Sequence, residues 1–171
     1  MNPALLRVGL ISDTHGLLRP EALEAMRGSD VIVHAGDIGD AGIIDALERI
    51  APVVAVRGNN DMGGWASGIR DVETFEAGGI SIHVIHDLAQ IDIDPVASGV
   101  AVVVSGHSHR PSQALRDGVL YINPGSAGPR RFTLPISVGV ISIRGGVFDP
   151  ELIELDISSR ATIGRRQWSA M

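Results

Sequence analysis

Between Val8 and Val56 the chain alternates short β-branched runs with helical segments, and the links joining them are only a few residues long. Residues 8–11 read as a buried strand, 20–27 as a helix with Pro20 in its first turn, and 31–33 as a second strand. Residues 41–50 read as a second helix, with Asp40 at the N-cap position and Ile43, Ile44, Leu47 and Ile50 on one face. Residues 53–56 form a third strand. Strand, helix, strand, helix, strand with such links implies parallel strands joined by right-handed crossovers. That topology brings the carboxyl ends of three strands to one edge, the place where α/β sheets bind ligands.

The second half changes character. Residues 72–75 and 80–85, around Gly78-Gly79, read as a hairpin; 100–104 and 119–122 are apolar strands; 138–143 and 147–157, around Gly145-Gly146, form another hairpin. The expected fold is therefore α/β: an α/β half followed by a β-rich half, two packed sheets with helices outside. One domain over residues 1–157 is expected, with 158–171, arginine-bearing and without periodicity, as a C-terminal tail.

Composition narrows the chemistry. A chain of 171 residues with 44% hydrophobic and 20% charged side chains fits an ordinary globule with a real core. Zero cysteines exclude disulfides, thiolate metal sites and cysteine nucleophiles. No apolar run approaches the ~20 residues needed to span a bilayer, and MNPALLRVGL lacks the features of a secretory signal, so a cytoplasmic location is expected. The net charge of −6 argues against a protein that coats nucleic acid, and fits carboxylates gathered around cations.

The polar residues gather where strands end: Ser12-Asp13-Thr14-His15-Gly16, His34-Ala35-Gly36-Asp37, Gly58-Asn59-Asn60-Asp61, His86-Asp87 and Gly106-His107-Ser108-His109. Carboxylates, imidazoles and an amide oxygen, without sulfur, suit Mn²⁺, Zn²⁺, Fe²⁺ or Mg²⁺. A strand continued through Asp13-x-His15, or through His107-x-His109, would set each pair on one face. Seven donors on five segments exceed the needs of one ion, which points to two.

The series SDTHG, HAGD, GNND, HD and GHSH, followed by NPGS, resembles the calcineurin-like metallophosphoesterase superfamily, and within it the small single-domain phosphodiesterases of bacteria and archaea. The motifs stand in family order over about residues 8–126. The resemblance implies a four-layer α/β/β/α sandwich of two mixed sheets flanked by helices, with a di-metal site. It implies that Asp13, His15 and His109 bind one ion, that Asn59, His86 and His107 bind the other, and that Asp37 bridges both. Mn²⁺ is the first candidate, with Zn²⁺, Fe²⁺ and Ni²⁺ as others. A hydroxide bridging ions ~3.5–4 Å apart would attack phosphorus in line, with Asn59, His86 and His109 nearest the substrate. Asp61 is expected to orient a ligand.

Asn60 departs from the family pattern, since many members carry there a histidine that protonates the leaving group. Asp87-Leu88 replaces the usual glycine and histidine, and the stretch 88–98 is shorter than the helix of relatives. His34, inside an apolar strand, reads as a hydrogen-bonded structural histidine. His83 is the rival to His86, on the opposite strand face. Ser12 and Thr14 read as hydrogen-bonding groups and 123–126 as a turn, while Met62 and Trp65 either line the site or cover its loop. The function this implies is hydrolysis of a small phosphodiester, with no membrane partner, no nucleic acid, and homo-oligomerisation left open. The alternatives are a scaffold like the retromer subunit of this fold, and a metal-dependent nuclease.

Overall fold

Residues 2–157 are described by the structure, a computed structural model; the expected tail, 158–171, lies outside them. In chain order the elements are β1 (Leu6–Ile11), α1 (Pro20–Met26), β2 (Val31–His34), α2 (Ala41–Glu48), β3 (Val53–Ala55), β4 (Val72–Ala77), β5 (Ile80–Ile85), β6 (Val100–Val104), β7 (Ser112–Arg116), β8 (Val119–Asn123), β9 (Ser137–Arg144) and β10 (Val147–Glu154). Single 3₁₀ turns lie at Gly64–Ala66 and Leu88–Gln90. The Asp40 carboxylate caps α2 by accepting from the Gly42 N–H.

The strands form two five-stranded mixed sheets. The first runs β10-β9-β1-β2-β3, with β1, β2 and β3 parallel and the β9–β10 hairpin antiparallel at one side. The second runs β4-β5-β6-β8-β7, with β5, β6 and β8 parallel and an antiparallel strand at each edge. Period-two alternation sends Val8, Leu10 and Val33 of the first sheet and Ile82, Val84 and Val102 of the second into one core between the sheets. The other face of the first sheet, including Ile11 and Ile32, is covered by Met26 of α1 and Leu47 of α2.

The fourth layer is thin. Ile85, Val100, Val103 and Val119 on the outer face of the second sheet are covered by Leu88, Ile91 and Ile93 from one 3₁₀ turn and the coil after it. The Asp94 carboxylate accepts from the Val96 and Ala97 N–H groups, and Pro95 follows directly, so this stretch turns instead of winding into a helix.

Two elements differ from the sequence reading. β7 was not anticipated, because all five of its residues are exposed and carry no apolar period. Its signal was Asp117-Gly118, whose φ values of 51° and 79° make the left-handed pair of a tight hairpin. β10 stops at Glu154, short of 157, because the Leu155 N–H leaves the ladder for the Ile136 carbonyl.

The inter-sheet core predicts a contrast in stability. Leu10→Ala, at a side chain with no exposure, is expected to cost about 2–5 kcal/mol in urea unfolding. Leu115→Ala, on the 68% exposed side chain of β7, is expected to change stability by less than about 0.5 kcal/mol.

Candidate metal centre

The parallel strands β1, β2 and β3 of one sheet, and β5 and β6 of the other, release their loops at one edge. The loops carry Asp13 and His15, then Asp37, then Asn59, with His86 just past β5 and His107 and His109 past β6. The strands do not extend through these residues. Asp13 (φ 56°), His15 (46°), Asp37 (53°), His107 (73°) and His109 (61°) all adopt the left-handed conformation, so the Asp-x-His and His-x-His pairs are aimed by turns and not by strand alternation. Only two other non-glycine residues among those described do so. Side chains rarely occupy this region unless the surroundings force them, and such strain clusters at functional sites.

Backbone hydrogen bonds sew the loops together. Asp13 and His15 donate their N–H groups to the carbonyls of Gly36 and Asp37, and Gly16 donates to Ile38. Close approach demands glycine at two places: a Cβ on Gly36 would lie 2.6 Å from His86 Nδ1, and one on Gly58 would collide with Asp37.

Asp13, His15 and His109 form one group. Their facing atoms are His15 Nε2 and His109 Nε2, 3.2 Å apart, and Asp13 Oδ1, 3.4 Å from His109 Nε2 and 3.8 Å from His15 Nε2. Asp13 Oδ2 accepts from the Ser12 hydroxyl and the His107 N–H, whereas buried Oδ1 has no hydrogen-bond partner. A second group gathers around His86 Nε2, which lies 3.1 Å from Asn59 Oδ1 and 3.3 Å from Asp37 Oδ2. His107 Nδ1 is 3.2 Å from the same Asn59 oxygen. Asp37 Oδ2 also lies 3.6 Å from His15 Nε2, which puts that carboxylate between the two groups.

The tautomer of His86 tests whether a cation fits. Its Nδ1 is 2.7 Å from the Ala35 carbonyl, which can only accept, so Nδ1 carries the proton. Nε2 therefore faces two oxygens, an arrangement that becomes favourable only with positive charge, a proton or a metal ion, among them. Burial pushes the His86 pKa down, yet Asp37, the Ala35 carbonyl and Asp13 together raise it. The same oxygens that would hold a proton would hold a metal ion. Burial pushes the Asp37 carboxyl up, but His86, the Asn60 N–H and the surrounding imidazoles outweigh this and hold it well below the usual range. Asp13 is raised by burial. Burial, with Arg131 and His15, lowers His109 to about 4, so its ring is neutral at pH 7. Neutral imidazole and carboxylate are the forms that ligate metals.

Comparisons with known proteins identify the family and the fold. The sequence profile of the calcineurin-like phosphoesterase superfamily domain matches residues 6–146. The chain belongs to the calcineurin-like phosphoesterase superfamily. A probable metallophosphoesterase of Methanothermobacter thermautotrophicus is 36% identical over 157 residues, spanning 85% of this chain and 91% of that protein. Among solved structures, an archaeal phosphodiesterase superposes with a TM-score of 0.71 at 23% identity, covering 86% of this chain and all of that one. Vacuolar protein sorting 29 from Cryptosporidium parvum superposes at 0.72 with 17% identity, covering 89% and 98%. At these identities the two structures show a shared fold.

Within this superfamily fold, residues outside the ligand groups shape the loops. Asp61, 3% exposed, accepts the N–H groups of Ile38, Gly39 and Gly58, and so welds the loop after β2 to the loop after β3. Asn60 gives both its backbone N–H and its side-chain amide to Asp37, at 2.9 and 3.1 Å, a positioning contact that sequence reasoning missed. Asn123 donates to the Gly106 carbonyl and the Ser108 hydroxyl, and Ser126 to the Asp13 carbonyl, so the 123–126 turn supports the site from below.

His34 is enclosed by hydrogen bonds. Its Nδ1 accepts from the Gly36 N–H, so Nε2 donates to the Thr14 hydroxyl, which donates to the Ile38 carbonyl. Burial lowers its pKa to about 3 and keeps it neutral. His83 lies away from both groups, with Nδ1 at 2.8 Å from the Thr74 hydroxyl. Trp65 packs into the helix-side core, while Met62 is 79% exposed. Among the described residues no helix is long and apolar enough to cross a membrane.

Asp61 offers a test that touches no ligand. Asp61→Ala orphans three N–H groups and loosens both loops, so the affinity for Mn²⁺ is expected to fall about 10- to 100-fold while the circular dichroism of the folded chain persists. Isothermal titration calorimetry reads the change.

Proposed function

We propose that this chain is a di-metal phosphodiesterase of the cytoplasm. Asp13, His15 and His109 would hold one divalent cation, Asn59, His86 and His107 the other, with Asp37 shared between them. Mn²⁺ is the first candidate, followed by Zn²⁺, Fe²⁺ and Ni²⁺, all suited to oxygen and imidazole donors. Two such cations would supply Lewis-acid activation of water and neutralise phosphoryl oxygens. The observation that carries the reading is the orientation of His86, whose Nδ1–H is taken by the Ala35 carbonyl so that Nε2 faces Asn59 Oδ1 and Asp37 Oδ2.

The chain's own residues would then do four things. Asp37, held at both oxygens by Asn60, keeps the two ligand groups in register. The Ser12 hydroxyl and the His107 N–H both donate to Asp13 Oδ2 and leave Oδ1 free for ligation. The rings of His15 and His109 close the first group, and burial keeps that of His109 neutral. A cavity of about 380 Å³ opens on Asn59, His86 and His107 and gives an ester substituent room beyond phosphorus. With the Asn60 amide committed to Asp37, no acid is offered from that position to a departing oxygen.

The 36% identity to a probable metallophosphoesterase supports an enzyme over a scaffold. The likeness to vacuolar protein sorting 29 extends to the fold alone. A nuclease would need a basic groove, and the net charge is −6.

The test is hydrolysis of bis(p-nitrophenyl) phosphate with saturating Mn²⁺. Chelation is expected to abolish turnover and added Mn²⁺ to restore it. His86→Ala is expected to lower kcat/KM by at least about 100-fold, a larger effect than loss of a residue that merely orients a ligand. His83→Ala should leave the rate within a few-fold, and equal losses in the two variants would contradict the assignment.

A further inference from the structure

The cavity that opens on Asn59, His86 and His107 is not charge-balanced. Its lining brings one guanidinium, Arg57, against the carboxylates of Asp71, Asp87 and Asp92. Arg57 is already committed: its Nη2 lies 2.9 Å and its Nε 3.0 Å from Asp71 Oδ1. Asp87 and Asp92 are left without a cation of their own in the lining. Asp87 follows directly on the ligand His86. Its Oδ1 accepts the Ala89 N–H, which fixes the side chain, and its Oδ2 lies 3.9 Å from His107 Nε2, too far for a hydrogen bond. A fixed, half-buried carboxylate therefore stands on the path from the centre into the cavity.

We propose that Asp87, assisted by Asp92, is a specificity-determining residue: the centre accepts phosphodiesters whose ester substituent is neutral or cationic, such as the ester of an ammonium-bearing alcohol, and rejects substituents that carry a further phosphate or carboxylate. The inference rests on the phosphodiesterase reading above and names its substrate class. The phosphoryl group itself, anionic in every diester, is the part that the ligand groups receive. What distinguishes one diester from another is the substituent, and beyond the cations that would receive the phosphoryl group it meets two carboxylates that no cationic side chain of the lining pairs with. Repulsion of the wrong partner is an ordinary source of specificity. Both carboxylates are reached by solvent, so each is worth only about a 1.5- to 5-fold discrimination, and salt weakens it.

The experiment uses three p-nitrophenyl phosphodiesters with one leaving group and different second esters: choline, ethyl and carboxymethyl. With Mn²⁺ at low ionic strength, kcat/KM is expected to fall in that order, and the spread is expected to narrow as salt is raised. Asp87→Asn keeps the shape and the Ala89 contact, and should narrow the choline-to-carboxymethyl ratio by about 1.5- to 5-fold; Asp92→Asn should act in the same direction. Metal content is measured in each variant. An unchanged ratio in both variants, a wild-type preference for the carboxymethyl ester, or an equal loss on all three substrates with loss of metal would overturn the proposal. Calorimetric binding of choline phosphate against ethyl phosphate gives a readout independent of turnover. If none of the diesters is hydrolysed, the phosphodiesterase reading fails, and the binding comparison alone decides the charge preference: tighter choline phosphate, weakened by Asp87→Asn, upholds it, and equal affinities reject it.

Discussion

The hydrogen bond from His86 Nδ1 to the Ala35 carbonyl joins the two sheets at the edge where the candidate centre lies. His86 leaves β5 of the second sheet, and Ala35 leaves β2 of the first, so this contact requires both sheets in their native packing. It also decides which nitrogen of the ring is free. The other nitrogen, Nε2, faces oxygens from the loops after β2 and β3. A cation satisfies all of them at once, which makes the packing of the hydrophobic core between the sheets a precondition for the chemistry. Gly36 belongs to the same arrangement, because any side chain there would push His86 away.

Five of the other candidate ligands, Asp13, His15, Asp37, His107 and His109, sit in loops held in costly conformations. Five donors in the left-handed region represent strain of about 1–3 kcal/mol each, which the surrounding contacts must offset. The offsetting contacts are visible: the ladder of N–H groups from Asp13, His15 and Gly16 to the opposite loop, the triple acceptance by Asp61, and the double donation by Asn60. The site is thus stiffened by groups that need not touch substrate. Rigid support of this kind keeps like charges and lone pairs together before a cation arrives.

Much of this was legible in the sequence, for reasons that differ by element. The β-branched runs with short helical links determined the parallel order of β1, β2 and β3, and hence the common edge. The helix-side face of α2 followed from Ile43, Ile44 and Leu47, of which Ile43 and Leu47 are buried. The two hairpins were readable from Gly78-Gly79 and Gly145-Gly146. β7 was not, because an exposed edge strand carries no apolar alternation. The candidate ligand residues stand out as clusters at strand ends, but not their geometry, since single-residue left-handed turns leave no periodic trace. The Asn60 contact with Asp37 was equally hidden: an amide standing where relatives have an imidazole shows what is missing, whereas its new partner emerges only when two distant loops meet.

The central claim is that the loops form one centre for two cations with Asp37 between them. The most direct measurement is a crystal structure of the Mn²⁺-soaked protein, with anomalous difference maps collected on both sides of the manganese absorption edge. Two anomalous peaks are expected, one within bonding distance of Asp13, His15 and His109, the other of Asn59, His86 and His107, with Asp37 touching both. A single peak, or two peaks that Asp37 does not join, would contradict it.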